Sequence, residues 1–332
     1  MDVITALGSR PRDRRIAAIL CAMFCRFLLA GTGAANASDL DPFGPFGPQG
    51  PRMREQLWML PSGTAGVALR ATVFRPVISH AIAAPAPASI EIPRPLVVIN
   101  HGTSELTRES TGMPVYYWLS RWFVDRGYIV VLPQRRGHGA TGGDLAEGGD
   151  SCSNPDHYRA GQVAADDIDA VVDYMSGQPF VAKSSTVVVG ISTGGWASLA
   201  LAARNSPQVR AVVNFAGGRG GHAWGQPSLI CGAERLIAAA ERFGAESVIP
   251  TLWLYANNDS YFSPKLAETM SVAWTSAGGK AELYVLPAFR HEGHALADDR
   301  AGWQLWGSYL DAFLANLPVK PGPLAAEARA VH

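Results

Sequence analysis

The chain has 332 residues, of which 48% are apolar and 17% are charged, and its formal net charge is zero. This length and composition are typical of one large globular domain, or two small ones, with a substantial core. Proteins that bind nucleic acids usually carry a marked excess of basic over acidic residues, and this chain has no such excess. The composition therefore favours a globular protein and excludes a nucleic-acid partner.

The first 37 residues have the organisation of a secretory signal peptide. Four arginines lie between positions 10 and 15, a mostly apolar run follows over 16–25, and Ala35-Asn36-Ala37 is a small-residue cleavage site. We expect cleavage near Ala37, before Ser38, and export to the periplasm or the medium. The apolar run is too short for a stable membrane span, which needs about 20 residues. The Arg14-Arg15 pair leaves the general secretory and twin-arginine routes both open, and a mistranslated or disordered leader is the alternative to a signal peptide.

Two of the four cysteines, Cys152 and Cys231, would remain after removal of this leader. Export would place both in an oxidising compartment, where disulfides form and persist. A Cys152–Cys231 disulfide and two separate buried thiols are both compatible with the sequence. The cysteine and histidine spacings typical of zinc sites are missing from the sequence, so we expect no structural metal.

The predicted elements begin with an extended N-terminal arm over 38–55, which includes a proline- and glycine-rich stretch at 41–51. Segments 56–60 and 67–74 predict a first pair of strands, and the proline-rich 81–95 predicts a surface loop. From residue 96 onward, apolar runs alternate with amphipathic stretches. Strands are predicted at 96–99, 128–132, 186–189, 209–215, 249–255 and 281–286. Helices are predicted at 116–126, 163–175, 195–204, 264–276 and 303–317.

Strands that alternate with helices predict an α/β fold with a mostly parallel sheet and helices on both faces, because right-handed crossovers place the connecting helices there. The Val/Ile/Leu-rich strands agree, since central parallel strands are buried on both sides. Residues 217–246 form the one sizeable insertion and are predicted to be a small cap. We expect the folded domain to span 56–318 and a flexible tail to follow over 319–332.

The motif Gly190-Ile191-Ser192-Thr193-Gly194 carries the chemistry of this sequence. It follows a predicted buried strand and precedes an alanine-rich helix, which fits a sharp turn that presents a serine hydroxyl at the end of a sheet. Glycines suit such a turn because it leaves little room for a Cβ atom. The same spacing occurs by chance in glycine-rich proteins, so its position between strand and helix is what favours Ser192 as a nucleophile.

A serine nucleophile needs a base, and an acid that orients the base. On this architecture the chain order is nucleophile, acid, histidine. Asp259 follows the predicted strand 249–255, at the sheet edge where ligands bind in open α/β sheets, with a turn or helix-cap role as the alternative. His294 follows the next strand, directly after a glycine that lets the loop turn its ring. His291 is expected to be a loop or rim residue.

The anionic intermediate of acyl transfer needs two backbone donors. The Thr193 amide is one candidate, because it lies at a helix start where N–H groups are unsatisfied. The Thr103 amide, in the loop after strand 96–99, is the other. Four side chains are candidates for the substrate pocket, each with a structural role as the alternative: His101, Arg136, His138 and Trp224.

Together these residues resemble those of the α/β-hydrolase superfamily, from about residue 56 to 317. The resemblance lies in the following motifs: His101-Gly102, Arg135-Arg136-Gly137-His138-Gly139, Gly190 to Gly194, and the loops with Asp259 and with Gly293-His294. Segments 215–221 and 254–259 are similar to the dienelactone hydrolase-related branch. Dienelactone hydrolases proper use a cysteine nucleophile, whereas this chain has Ser192, which favours a general serine esterase.

The resemblance implies an α/β-hydrolase fold and hydrolysis of a small-molecule carboxylic ester through an acyl-enzyme on Ser192. It implies no metal and no organic cofactor. Two alternatives remain, namely a peptidase or acyl-peptide hydrolase with the same triad, and a non-catalytic binding protein that kept the fold. The sequence ranks no particular ester and indicates no oligomeric state.

Overall fold

A computed structural model describes residues 42–77, 92–103, 108–148 and 151–317. The signal peptide predicted for 1–37 and the tail predicted for 319–332 lie outside these ranges.

The described residues form one nine-stranded sheet and six α-helices. The strands are β1 (Gly44–Phe46), β2 (Gln56–Pro61), β3 (Ala68–Phe74), β4 (Leu96–Asn100), β5 (Ile129–Gln134), β6 (Thr186–Ile191), β7 (Val209–Phe215), β8 (Thr251–Ala256) and β9 (Ala281–Leu286). The helices are α1 (Tyr117–Val124), α2 (His157–Ser176), α3 (Thr193–Ala202), α4 (Ala233–Glu246), α5 (Pro264–Ser276) and α6 (Trp303–Ala315).

The strand order is β1-β2-β3-β5-β4-β6-β7-β8-β9. The first three strands are antiparallel, and β3 also pairs antiparallel with β5. All other pairs, from β5 through β4 to β9, are parallel. The mostly parallel sheet predicted from the sequence is confirmed.

Helices cover both faces of this sheet. Successive side chains of a strand point to opposite faces, and in β6 Val187 and Val189 pack on one side while Val188 packs on the other. The core around Val187 and Val189 includes large aromatic side chains of α1 and α6, such as Trp122 and Trp306. The core around Val188 includes apolar side chains of α2, α3, α4 and α5.

The insertion predicted as a small cap, 217–246, divides into two parts. Residues 220–231 fold back as a short hairpin, in which Gly221 and Ile230 form an antiparallel bridge. Residues 233–246 form α4, whose Leu236 and Phe243 are fully buried in the core. This second part is therefore the crossover helix between β7 and β8 and not a cap.

Residues 44–46, within the predicted N-terminal arm, add a strand to the edge of the sheet. Gly44, Pro45 and Phe46 pair with Met59, Trp58 and Leu57 of β2. The ring of Phe43 packs edge-on against Tyr174 of α2, with centroids 5.8 Å apart. Residues 43–46 of the arm are thus attached both to the sheet and to a helix.

A disulfide joins Cys152 to Cys231, with Cα atoms 4.7 Å apart. It connects the segment before α2 with the end of the 220–231 hairpin. The ring Nε2 of His157, in the first turn of α2, lies 2.8 Å from the carbonyl oxygen of Cys231. Across the described ranges, the helices are all too short or too polar to cross a membrane.

Candidate active site

The residues predicted to carry chemistry meet at one edge of the sheet. Strands β4 to β9 are parallel, so the loops after their carboxyl ends lie along the same edge. Thr103 follows β4, Ser192 follows β6, Asp259 follows β8 and His294 follows β9.

Ser192 lies on a strained turn between β6 and α3. Its φ and ψ are 57° and −124°, a backbone conformation that is uncommon for a residue other than glycine. A Cβ atom on Gly190 would collide with the backbone of Gly194, and one on Gly194 with the backbone of Asn100. The Ser192 amide donates to the carbonyl of Phe215 at 3.0 Å, which ties the turn to β7. The geometry is that of a nucleophile turn.

Asp259 and His294 form a hydrogen-bonded pair. His294 Nδ1 lies 3.0 Å from Asp259 Oδ2 and 3.2 Å from Oδ1, and the Asp259 side chain is fully buried. The carboxylate also accepts the backbone N–H groups of Tyr261 at 2.8 Å and Phe262 at 2.9 Å. Since Nδ1 faces the carboxylate, Nε2 is the nitrogen left to act as a base.

Within the described ranges, the ring of His294 hydrogen-bonds to Asp259 alone, and a bond between Nε2 and the Ser192 hydroxyl is not formed. Bonds of this kind are often long in free enzymes and shorten when substrate binds. The acid–base half of the predicted triad is therefore connected, whereas the serine shares only the sheet edge with it.

The loop of residues 101–103, which we name the oxyanion loop, packs against Ser192. A Cβ atom placed on Gly102 would lie 3.0 Å from Ser192 Cβ and 3.6 Å from its Oγ. The hydroxyl of Thr103 donates to Glu147 at 3.0 Å, accepts from Arg135 at 3.2 Å, and lies 2.9 Å from His138 Nε2. These contacts fix the side chain of Thr103 in the loop that packs against Ser192.

A buried ion pair supports this loop. Arg135 and Glu147 have side chains only 1% and 4% exposed, and the guanidinium donates to both carboxylate oxygens at 3.1 Å. Arg135 also donates to the carbonyl of His101 at 2.7 Å. Burial alone would raise the pKa of Glu147, but the adjacent Arg135 outweighs it and lowers the pKa to about 2. The carboxylate is therefore ionised throughout the neutral range.

His101 and His138 were candidate pocket residues, but the structure uses both as supports for the oxyanion loop. His101 Nε2 accepts from the Arg135 amide at 3.1 Å, and Nδ1 lies 2.7 Å from the Gly102 carbonyl. His138 is fully buried, with Nδ1 facing the carbonyls of Arg135 and Arg136. Burial lowers the pKa of both imidazoles, and the charge of Arg135 lowers it further. Hydrogen bonds within the loop therefore hold both rings as structural groups.

Arg136 also points away from the serine. It pairs with Asp167 of α2 at 2.7 Å, contacts Thr64 after β2, and donates to the carbonyl of Val163 at 3.4 Å. Trp224 differs from the other three candidates because its side chain is 75% exposed, on the 220–231 hairpin. Trp224 is therefore the most exposed of the four candidate pocket residues.

Four residues near His294 were not predicted. Tyr261 stacks on the His294 ring, and His222 stacks on Tyr261. Ser260 and Glu292 hydrogen-bond to each other between the acid and histidine loops. The available sequence signal was position alone, since Ser260 directly follows Asp259 and Glu292 lies two residues before His294.

Comparisons with known proteins agree with this fold. The dienelactone hydrolase family model matches residues 93–315, which is more than half of the chain. Acetyl xylan esterase from Paenibacillus sp. R4 superposes with a TM-score of 0.52 at 14% identity, over 82% of this chain and 86% of the esterase. Acylaminoacyl peptidase from Pyrococcus horikoshii superposes with a TM-score of 0.54 at 14% identity, over 83% of this chain and 42% of the peptidase. A search of curated proteins returned no match.

At this level of identity the two structural likenesses show a shared fold and nothing finer. The family match covers every strand that bears a candidate site residue, from β4 to β9. With the turn at Ser192 and the Asp259–His294 pair at the same edge, it leads to one conclusion: the chain belongs to the dienelactone hydrolase family, a family of hydrolases within the α/β-hydrolase superfamily.

Proposed function

We propose that the protein is an exported serine hydrolase that cleaves carboxylic esters through Ser192, His294 and Asp259. The Asp259–His294 pair carries the proposal, because a buried carboxylate 3.0 Å from an imidazole Nδ1 orients that ring as a general base. It lies at the same sheet edge as a serine on a nucleophile turn.

In the first half of the reaction, Ser192 Oγ attacks the acyl carbon of the ester while His294 Nε2 takes the hydroxyl proton. The carbonyl oxygen becomes an anion, which accepts hydrogen bonds from the Thr103 and Thr193 amides. Asp259 stabilises the imidazolium that results. When the intermediate collapses, the bond to the alcohol oxygen breaks, and His294 gives its proton to that oxygen as the alcohol leaves.

In the second half, water attacks the acyl-enzyme. His294 takes a proton from the water, and the same two amides hold the new anion. Collapse breaks the bond to Ser192 Oγ, which recovers its proton from His294, and the carboxylic acid is released. The imidazole thus acts as base and acid in turn, and the enzyme ends in the state in which it began.

A fluorophosphonate probe with a panel of esters and amides tests this proposal. We expect the mature protein to be labelled at Ser192 and to hydrolyse esters of small or medium acyl groups. The Ser192→Ala variant should lose labelling and about 10⁴-fold or more of kcat while keeping its thermal midpoint. A folded protein that is not labelled and cleaves no ester would instead be a binding protein on this fold, and cleavage of the amides alone would indicate a peptidase.

Export is tested separately by N-terminal sequencing of protein recovered from the periplasm or medium of an expressing host. We expect the mature chain to begin at Ser38. The Cys152–Cys231 disulfide supports this part of the proposal, since such bonds persist in oxidising compartments. Recovery of the intact chain from the cytoplasm alone would contradict it.

A further inference from the structure

Tyr261 lies between two histidine rings. One face of its phenol ring stacks on His294, with centroids 4.3 Å apart and ring planes 25° apart. The other neighbour is His222, with centroids 3.6 Å apart and planes only 7° apart. Because the backbone N–H of Tyr261 also donates to Asp259 at 2.8 Å, this residue contacts both members of the acid–base pair.

The ring of His222 is held by hydrogen-bond contacts of its Nε2 atom with Ser260. Its Nε2 lies 3.1 Å from the carbonyl oxygen of Ser260 and 2.9 Å from the Ser260 hydroxyl oxygen. The Ser260 hydroxyl donates its only proton to the carboxylate of Glu292. A carbonyl can only accept, so Nε2 of His222 bears the proton in this arrangement.

Glu292 connects Ser260 back to His294 through hydrogen bonds to the backbone of both residues. Its Oε1 accepts the backbone N–H of His294 at 2.9 Å and that of Ser260 at 3.2 Å. Partial burial alone would raise the pKa of Glu292, but the hydrogen bonds from Ser260 and His294 outweigh it and lower the pKa. The contacts thus run from His294 through Tyr261, His222, Ser260 and Glu292 back to the His294 backbone.

The hairpin that carries His222 is fastened at several points. The Cys231 amide donates to the carbonyl of Gly220 at 2.8 Å, which closes the hairpin, and the Ser228 amide donates to the carbonyl of Ser260 at 2.6 Å. The disulfide then ties Cys231 to Cys152 before α2. The position of the His222 ring is therefore set by a covalently anchored segment.

We infer that Tyr261 and His222 are positioning residues, and that the disulfide-anchored hairpin holds the ring of His294 in its working orientation through them. This inference rests on the proposed function, because it takes His294 as the general base. A ring stacked face-on also attracts a cation, so the Tyr261 ring favours the imidazolium that forms as Ser192 attacks. The contacts are made to His294 and not to the substrate, so kcat should depend on them and KM should not.

Two variants of Tyr261 separate the ring from its hydroxyl. Tyr261→Leu removes the stack, and we expect kcat to fall about 10-fold with KM within about twofold of wild type. Tyr261→Phe keeps the aromatic face and should restore wild-type kcat, whereas a structural role alone would not predict this split between kcat and KM. His291→Ala is the control, since His291 is an exposed histidine on the loop that carries His294.

The role of the hairpin is tested by asking whether the effects of the His222 and disulfide substitutions on kcat are additive. We expect His222→Ala to lower kcat by a similar factor, and the paired change Cys152→Ser with Cys231→Ser to lower it as well. The triple variant should be little worse than His222→Ala alone, because the disulfide acts through the His222 ring. Equal kcat for Tyr261→Leu and Tyr261→Phe, or fully additive losses in the triple variant, would overturn the inference.

Labelling of Ser192 distinguishes the two proposals. Each variant is assayed for its thermal midpoint and for its rate of reaction with the fluorophosphonate probe, which reports on His294 without a substrate-binding step. A folded wild type that is never labelled would refute the serine hydrolase itself. Normal labelling of wild type, with unchanged labelling rates in Tyr261→Leu and His222→Ala, would refute only the positioning role.

Discussion

The oxyanion loop and the histidine loop (residues 287–298) occupy the same sheet edge but are stabilised in different ways. The oxyanion loop rests on the buried Arg135–Glu147 pair, with both charges almost fully excluded from water. The histidine loop rests on stacked rings and on the hydrogen bonds of Asp259 and Glu292. In the proposed mechanism the oxyanion loop offers a fixed amide, while His294 gains and loses a charge in each half-reaction. The oxyanion loop stays neutral during the reaction, so a permanently charged ion pair can be buried against it. The His294 ring changes its charge, and among the described residues its side-chain contacts are the Asp259 carboxylate and aromatic rings.

The largest effect should come from the histidine loop. We expect His294→Ala to lower kcat about 10⁴-fold or more, because the general base is lost. His291→Ala should leave kcat within about twofold of wild type, because His291 is an exposed residue, and substitutions on the surface usually change stability little. Steady-state kinetics on one ester measures both, and the reverse result would show that His291 is the base and that the supports described for His294 serve another purpose.

The disulfide should dominate the stability of the hairpin side. It joins residues 79 apart, and loop-closure entropy for a loop of this length corresponds to about 4.5 kcal/mol. Cys152→Ser with Cys231→Ser should therefore lower the free energy of unfolding by roughly that amount, as measured by urea titration. A loss below about 1 kcal/mol would mean that the hydrogen bonds of the hairpin fix it without the covalent link.

On the oxyanion side, Glu147→Gln should lower the free energy of unfolding by about 3 kcal/mol, because it leaves the Arg135 charge buried without its partner. The pKa of Glu147 falls from 4.5 to about 2 on folding. A depressed carboxyl pKa stabilises the protein fully above pH 4.5 and progressively less as the pH falls towards 2.

Urea titrations at pH 7 and pH 3 measure both quantities. Wild type should lose more stability than Glu147→Gln between these pH values. An equal loss of unfolding free energy in the two proteins would show that other carboxyl groups control acid unfolding. The buried Arg135–Glu147 pair would then not determine the pH dependence of stability.

The smallest effect is expected at Trp224, which is exposed on the hairpin. Trp224→Ala should change the free energy of unfolding by less than about 0.5 kcal/mol. If Trp224 contacts substrate, as the sequence allows, KM for an aryl ester should rise about threefold with kcat unchanged, since contacts of one aromatic ring contribute about 0.5–1.5 kcal/mol. An unchanged KM across the ester panel would exclude Trp224 from the pocket.

Much of the fold could be predicted because its signals are local. Helix α5 begins and ends at Pro264 and Ser276, as the sequence predicts, and the Ser263 side chain caps it. Helix α4 was not predicted, although Leu236, Ala239, Ala240 and Phe243 have helical spacing. Two of these four positions are alanines, so the apolar signal is weak, and the glycine-rich segment before them favours a loop.

Within the site, chain order was sufficient to predict that Ser192, Asp259 and His294 lie at one edge of the sheet, because parallel strands bring their following loops to that edge. The supports were not predictable in this way. His222 and Tyr261 lie on segments after different strands, so their stacking depends on tertiary structure. Arg136 and His138 show the opposite difficulty, because a loop at the right edge was predicted, but the direction of each side chain depends on Asp167 and Thr103, which only the folded chain brings near.

The short strand β1 has a consequence for how the protein behaves in a crowded solution. An edge strand with unpaired N–H and C=O groups is a template on which another chain can add a strand and aggregate. Here the edge is three residues long and includes Pro45, which has no N–H to donate. At the opposite edge, β9 exposes the charged side chain of Glu282. Among the described residues, both edge strands of the sheet thus carry a feature that disfavours the addition of another strand.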